Sequence, residues 1–194
     1  DGSQLVWSTY LGGNASETPH SLVVNDAEEL FVMGASGSTD FPVTTGCYDA
    51  TFNGGTAIDA MLNGWAGVSG GYGVGHAGGT DIILVRFNAS ATALIGSTYI
   101  GGSGNDGLNN TAVLSHNYGD AFRGEVILDG NGAPIVCTST QSANAPTTPN
   151  ATQTAFGGVQ DAYLFRMNPA LTALDWATYH GGSTGDSGYG VQLD

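Results

Sequence analysis

The chain has 194 residues, of which 41% are hydrophobic, and a formal net charge of −14 at neutral pH. Lysine is absent and three arginines stand against 17 acids, which excludes nucleic acid and anionic membrane surfaces as expected partners. No apolar run of about 18 residues occurs, so no transmembrane helix is predicted. A charged fraction of only 10%, together with 32 glycines, is typical of secreted β-proteins, so we expect an extracellular or cell-surface location.

The predicted elements are short apolar, β-branched or aromatic runs bounded by glycine, asparagine, aspartate and proline, a pattern that indicates strands. Residues 1–13 hold a strand D at Leu5–Tyr10. Residues 20–102 form a unit of strands A to D with an insertion at about 55–79, and an inserted loop follows at 103–123. A second unit spans 124–182, and 188–194 form a further strand A.

The strand bounds follow from the same runs, and only Ile58–Trp65 is predicted as a helical turn. The predicted strands are Leu22–Asn25, Leu30–Gly34, Asp81–Phe87 and Leu94–Ile100 in the first unit, and Val126–Asp129, Pro134–Thr138, Asp161–Met167 and Leu174–Tyr179 in the second. Two complete units with a partial one on either side predict a fragment of a longer chain, or a subunit completed by its neighbours.

The unit boundaries depend on three copies of one motif, at 7–13, 96–102 and 176–182. The first reads Trp7-Ser8-Thr9-Tyr10-Leu11-Gly12-Gly13, and the motif tyrosines Tyr10, Tyr99 and Tyr179 are separated by 89 and 80 residues. Strands A and B of the two units align at an offset of 104, and strands C and D at an offset of 80. These unequal offsets locate the two insertions. Cys47 and Cys137 fall at non-equivalent positions, which favours free thiols, although one disulfide stays open.

Four strands per unit, with the turn Asp129-Gly130-Asn131-Gly132 between A and B, suggest a β-propeller blade. The chain resembles the SBBP repeats, a family named for a seven-bladed β-propeller. The resemblance covers nearly all of the chain outside the insertions. It rests on the strand D motif, that turn, Asp40-Phe41-Pro42-Val43-Thr44-Thr45-Gly46, and Asp161 with Phe165-Arg166-Met167-Asn168-Pro169; Asn144-Ala145-Pro146 departs from the pattern.

The expected fold class is therefore all-β, with propeller-type four-stranded antiparallel blades, two full and two partial. The resemblance implies a bacterial secreted or cell-surface protein, including adhesins and surface assemblies. The expected partners are the rest of a longer chain or neighbouring subunits, with a surface protein or a glycan as a further partner.

The two insertions are expected on one face, because B–C and D–A connections lie at the same end of an up-and-down blade. Loops on a rigid scaffold often carry recognition. The candidate contact residues there are Trp65, Tyr72, His76, His116 and Tyr118. We expect a non-catalytic structural and interaction module. The alternatives are loops without a binding role, and a carbohydrate-binding accessory domain of a secreted enzyme.

Three strings resemble catalytic motifs but lack the required context. Gly67–Gly71 fits G-x-S-x-G without a strand before it and a helix after it. Gly73–Gly78 fits G-x-G-x-x-G, but a strand follows where a helix is needed. Gly185-Asp186-Ser187-Gly188 occupies the place of Gly104-Asn105-Asp106-Gly107 in the repeat. We therefore expect no catalytic residue and no enzyme.

Metal binding is expected only as an alternative. Asp129 and Asn131 offer hard oxygen ligands, but calcium needs about six to eight oxygens, and this sequence is typical of a hairpin turn. The four histidines show no H-x-x-x-H pair, which argues against zinc. The expectation is no cofactor, with calcium at Asp129 and Asn131 as the alternative.

Residues that recur in each repeat are expected to be structural, since a catalytic residue is rarely copied in every unit. Asp81 and Asp161 begin strand C, and Arg86 and Arg166 are expected to cover the edge of a sheet. Trp7 and Trp176 are expected to cover the gap between units, since large aromatic side chains dominate packing.

Overall fold

The computed structural model of the chain describes residues 2–59, 75–114 and 119–194. These residues form strands β1 (Glu17–Val24), β2 (Leu30–Ser36), β3 (Ile58–Asp59), β4 (Gly75–His76), β5 (Asp81–Phe87), β6 (Leu94–Ile100), β7 (Glu125–Leu128), β8 (Pro134–Thr140), β9 (Asp161–Met167) and β10 (Leu174–His180). Two 3₁₀ helices span Ala112–Leu114 and Asp120–Phe122. No helix in this part of the chain is long and apolar enough to cross a membrane.

Eight strands form two four-stranded antiparallel sheets, each in simple sequence order. The first sheet is β1-β2-β5-β6 and the second is β7-β8-β9-β10. This confirms the predicted all-β class with four-stranded antiparallel units, in which strands A to D are neighbours in turn. The predicted bounds of β5, β6 and β9 match the observed ones, while β1 begins earlier, at Glu17.

The first insertion contains a small hairpin of β3 and β4, in which Ile58 pairs with His76. The helical turn predicted at Ile58–Trp65 is therefore wrong at Ile58–Asp59. The rest of that prediction falls on residues outside the described part of the chain.

Two further predicted strands are wrong. Leu5–Tyr10 and 188–194 carry no strand. A strand needs a neighbour to receive its backbone hydrogen bonds, and no described strand pairs with either segment. Tyr10 is consequently fully exposed, at 103%, whereas the motif tyrosines Tyr99 and Tyr179 are each 1% exposed.

The two sheets pack face to face around one apolar core. The first sheet contributes Phe31, Met33, Ile82, Leu84 and Ile100; the second contributes Val126, Val136, Tyr163, Phe165, Met167, Ala177 and Tyr179, with Leu171 from the β9–β10 turn. We call the contact between these two faces the joint.

The joint has a definite polarity. At the repeat offset of 80, the counterparts of Tyr163, Phe165 and Met167 are Ile83, Val85 and Phe87, which lie in a separate apolar cluster with Phe41 and Tyr99. We call this face of each sheet its front and the opposite face its back. The front of the second sheet therefore covers the back of the first, and the two sheets stack in the same orientation.

Candidate functional site

The B–C and D–A connections meet at one end of the two sheets, which we call the insertion end. Thr80 lies just before β5, and its carbonyl accepts a hydrogen bond from the Asp106 N–H at 2.8 Å. Its hydroxyl donates to the Asp106 carbonyl at 2.9 Å. Nearby, Asn105 Nδ2 donates to Thr56 Oγ1 at 3.3 Å. The described parts of the two insertions are thus held against each other at one end, as the strand order predicts.

Close backbone approach at this end requires glycine. Gly79 has φ +79°, and a Cβ there would lie 2.3 Å from the backbone of Gly55. At both glycines, a Cβ would also lie within 2.5 Å of Asn105 Oδ1. Asn105 is 2% exposed, so its side chain fills the narrow space between the two connections.

A buried carboxyl group, Asp106, lies at the centre of the insertion end. Its carboxyl accepts the hydroxyl protons of Thr140 and of Ser142, the latter at 2.7 Å, and the N–H of Gly102 at 2.8 Å. Burial raises the pKa of Asp106 to about 6, although these hydrogen bonds lower it. The group ties the D–A connection to β8 and to the residues that follow it.

The same arrangement occurs at the start of β1. Glu17 accepts from the hydroxyls of Ser36, at 3.0 Å, and of Ser38. At the offset of 104, these serines are the counterparts of Thr140 and Ser142. The repeat therefore carries an acid before strand A and a hydroxyl pair after strand B, and the hydrogen bonds between them fix the D–A connection.

This acid is a site that the sequence prediction missed. Glu17, Asp106 and Asp186 each lie seven residues after a motif tyrosine, and that constant spacing is the signal that could have found them. Asp186 accepts the Gly182 N–H at 2.8 Å, just as Asp106 accepts that of Gly102.

A second buried carboxyl, Asp81, faces Asp106 across Gly101. A Cβ on Gly101 would lie 2.7 Å from Asp106 Oδ2 and 2.9 Å from Asp81 Oδ1. Burial raises the pKa of Asp81 to about 7; the Asn53 N–H lowers it, and the charge of Asp106 raises it further. Both side chains are 0% exposed. This pair is therefore positioned to hold backbone, and a substrate has no access to it.

The strand C aspartates perform one structural task in both units. Asp81 accepts the N–H groups of Asn53 at 2.6 Å and Gly54 at 3.1 Å. Its counterpart Asp161 accepts the Gly157 N–H at 2.7 Å, and burial raises its pKa. Each aspartate thus anchors backbone of its own B–C connection.

Two histidines, His20 of β1 and His76 of the first insertion, lie near each other at the insertion end. The β1–β2 register shifts between Pro19 and Ser21, so His20 is a bulged residue, and bulges redirect side chains. Its ring lies 6.4 Å from that of Phe122, in the second insertion. Burial, then the charge of His76, lowers the pKa of His20 to about 3. The His20 ring is therefore neutral at physiological pH and acts as packing.

An amide network extends the insertion end towards 185–187. Gln160 Nε2 donates to Asn109 Oδ1 at 2.9 Å and to Ser187 Oγ at 2.6 Å, while its Oε1 accepts from the Asn110 N–H at 2.8 Å. Ser187 belongs to the protease-like string Gly185–Gly188. Its hydroxyl is held by an amide, so the string serves the same connection as Gly104–Gly107.

The predicted contact residues have different outcomes. His76 is 1% exposed, and burial lowers its pKa, so it packs inside the insertion end and offers no contact surface; in this respect the prediction is wrong. Trp65, Tyr72, His116 and Tyr118 lie outside the described residues. The string Gly67–Gly71 and the start of Gly73–Gly78 also lie outside them.

The recurrent arginines tie strands and units together. Arg86 binds Glu29 through Nε and Nη2, at 3.1 and 2.5 Å, and donates from Nη1 to the Pro169 carbonyl of the second unit at 2.6 Å. Arg166 binds Asp129 at 2.9 and 2.7 Å and also pairs with Asp175.

The tryptophans are partly exposed, Trp7 at 42% and Trp176 at 36%. Trp7 shares a groove with Val24, Leu30 and residues 88–90 of the β5–β6 turn. It thus lies over the first sheet, whereas within the described residues no unit covers Trp176.

The calcium candidates are engaged in the A–B turn. Asp129 accepts the N–H groups of Asn131 at 2.8 Å and Ala133 at 3.0 Å, in addition to Arg166. These hydrogen bonds, with that of Ala133 the strongest influence, hold the pKa of Asp129 below its usual range. No group of three acidic, histidine or cysteine side chains in the described residues could hold a metal ion. Cys47 and Cys137 are free thiols.

No protein-family model matches the chain, and no curated protein matches it either.

Proposed function

We propose that the chain is an extracellular structural and interaction module of the SBBP type, without catalytic activity, and that it recognises its partner at the insertion end. The observation that carries the proposal concerns the carboxyl groups of Glu17, Asp81 and Asp106 at this end. Each of them accepts hydrogen bonds from backbone or hydroxyl groups of the repeat. What remains for recognition is the pair of insertions that these groups support.

The stacking of the sheets supports a propeller-type arrangement. Both sheets have the same strand order and the same orientation, so a third sheet could stack on either free face by the same rule. Repetition of such units around an axis protects the sheet edges. The motif order described above supports the SBBP assignment, and this assignment supplies the bacterial cell-surface setting.

The insertion end is favoured over the opposite end because of its size and support. Within the described residues, the opposite end has only the tight turns at 25–29, 88–93, 129–133 and 168–173, each closed by backbone hydrogen bonds. The insertion end has two long connections fixed on rigid strands, which is where recognition residues usually lie. The net charge of −14 favours neutral or cationic ligands over anionic ones.

The test compares the two ends in one binding experiment. The probes are arrays of neutral polysaccharides and of purified extracellular glycoproteins. Replacing 60–74 by a short Gly-Ser linker should reduce binding at least about tenfold, since hot-spot residues supply most of the affinity. A matched variant at the turn end, Asp26→Ala with Asn131→Ala, should bind like the wild type.

Three results would count against the proposal: binding to no probe, equal loss in both variants, or chemical turnover of a probe that Asp81→Asn abolishes. Substituting Trp65 and Tyr72 by alanine separates the carbohydrate alternative. Loss of polysaccharide binding alone would assign these aromatic residues to a glycan site, whereas loss of glycoprotein binding alone would assign them to a protein contact.

A further inference from the structure

Within the described residues the two sheets form one joint, although each sheet has both a front and a back. The back of the first sheet and the front of the second are in contact with each other. The front of the first sheet carries its own B–C connection and Leu11, and no sheet in the described part of the chain covers it. The back of the second sheet carries Ile135, Cys137, Ala162, Leu164 and His180, which are the counterparts of Phe31, Met33, Ile82, Leu84 and Ile100. The segment at Gly188 lies against this face, and Ile135, Cys137 and Ala162 are buried.

Side-chain size is matched across the joint. In the first sheet, a Cβ on Gly96 would lie 3.1 Å from Leu171, which is fully buried in the β9–β10 turn of the second sheet. A small residue on the back of one sheet thus receives a large residue from the next. The counterpart of Gly96 in the second sheet is Trp176, and the counterpart of Leu171 in the first sheet is Ala91.

In the pair Trp176 and Ala91, the large and the small residue exchange places relative to Gly96 and Leu171, so the two side chains still complement each other in size. The large residue now lies on the back of the second sheet, and the small residue lies in the turn of the first sheet. Ala91 and Leu171 share the left-handed conformation, with φ 51° and 57°, so the two turns present this position in the same way. Trp7, which holds the motif position of Trp176, supports the pairing of Trp176 with Ala91. It lies in a groove with residues 88–90 of the β5–β6 turn, next to Ala91.

The acid of the repeat is incompletely bonded at the same place. Asp106 has the Gly102 N–H and the hydroxyls of Thr140 and Ser142 from the following sheet. Asp186 has the Gly182 N–H, but no hydroxyl from a following sheet in the described residues. The hydroxyl pair that fits it is Ser36 and Ser38, which Glu17 occupies within the chain.

The segments that stand in the way carry no strand. Residues 2–16 form no strand, and Leu5, Val6 and Tyr10 are 82%, 91% and 103% exposed. Residues 187–194 also form no strand; Gly188 N–H donates to Ser139 Oγ and Val191 N–H to Glu125, and docking replaces these hydrogen bonds. The motif copies at 7–13 and 176–182 agree at five of seven positions, so the second can replace the first with few new contacts.

We propose that a second copy of this chain docks head to tail, with the front of its first sheet on the back of the second sheet. Trp176 of one copy then packs over Ala91 of the other, and Asp186 takes the hydroxyls of Ser36 and Ser38. Residues 2–17 of one copy, including the Glu17 carboxylate that holds these hydroxyls within the chain, and residues 187–194 of the other give way. Such a contact joins two different surfaces, so it repeats from copy to copy.

Sedimentation velocity from roughly 10 µM to 1 mM tests this docking, a range that covers weak association. The wild type should associate with increasing concentration. Trp176→Gly leaves a hole and Ala91→Leu creates a clash, so each alone should weaken association about tenfold or more. The double variant recreates the Gly96–Leu171 pair between copies and should associate like the wild type.

A mixture provides the second measurement. Combining the Trp176→Gly and Ala91→Leu chains in equal amounts gives every contact a matched pair, so association should return although neither variant shows it alone. Circular dichroism confirms that each variant is folded. A monomeric wild type across the range overturns the proposal, and so does a double variant or a mixture that fails to recover.

Discussion

At the scale of single residues, the two A–B turns differ at one strained position. Glu28 has φ 59°, whereas its counterpart in the second unit is Gly132, with φ 74°. Both N–H groups close the same turn, onto the carbonyls of Asn25 and Asp129. A non-glycine residue pays for this left-handed conformation with steric strain between its Cβ and the backbone.

Glu28→Gly should therefore raise the free energy of unfolding by about 0.5–1 kcal/mol, because relief of strain exceeds the added freedom of the unfolded chain. Urea denaturation measures the change. Ala27→Gly is the matched control in the same turn, where φ is not positive, and it should lower the free energy by a similar amount. Stabilisation by both substitutions would show that turn flexibility, and no strain at residue 28, is responsible.

At the scale of elements, the insertion end contains two buried titratable groups, Asp106 in a D–A connection and His20 in β1, whose pKa values shift in opposite directions. The raised pKa of Asp106 means that the folded protein binds a proton more tightly than the unfolded chain. Its contribution to stability is therefore fully present below the unfolded value of 3.8 and is lost as the pH rises through about 6. The lowered pKa of His20 acts oppositely: stability is lost as the pH falls from 6.5 towards 3.

Replacement by uncharged side chains separates the contributions of Asp106 and His20 to the pH dependence of stability. In Asp106→Asn, the free energy of unfolding should fall less than in the wild type between pH 4 and pH 6, the interval over which Asp106 titrates. In His20→Phe, which keeps a ring against Phe122, the loss of stability in acid below pH 6.5 should be smaller. Guanidinium denaturation at a series of pH values measures both slopes, and unchanged slopes would contradict the assignment.

At the scale of the whole molecule, the joint makes the two sheets one packed body. Its core contains side chains from both sheets, and Arg86 reaches the Pro169 carbonyl of the second unit. The polar groups of the insertion end add hydrogen bonds across the same joint, as between Gly107 N–H and the Ser139 carbonyl at 2.8 Å. The sheets should therefore unfold together.

A double-mutant cycle at Gly96 and Leu171 tests this coupling. Leu171→Ala should cost about 2–4 kcal/mol, because it opens a cavity in the joint. Gly96→Ala should cost about 1–2 kcal/mol through crowding against Leu171. The double variant should cost less than the two together by about 0.5–1 kcal/mol, because the new methyl group enters the cavity. Calorimetry should show a single transition throughout, and Gly130→Ala, with open space around it, is the neutral control.

The sequence by itself determined the repeat unit. Strand signals, turn residues and the spacing of Tyr99 and Tyr179 are local properties, so they predicted two sheets of four strands in order and the end at which the insertions meet. It could also assign Asp81 and Arg86 to structure, because both are copied at the repeat offset.

Only the tertiary structure decided the role of each copy of the repeated motif within the chain. Tyr10 and Tyr99 share the local sequence Ser-Thr-Tyr-x-Gly-Gly, yet one is exposed and the other buried, because burial depends on whether a neighbouring strand is present. His76 is inside, and Glu17 and Asp106 hold hydroxyl pairs, because chain segments far apart in sequence meet there. The motif that the sequence repeats thus becomes a strand of a sheet only where the rest of the sheet is there to pair with it.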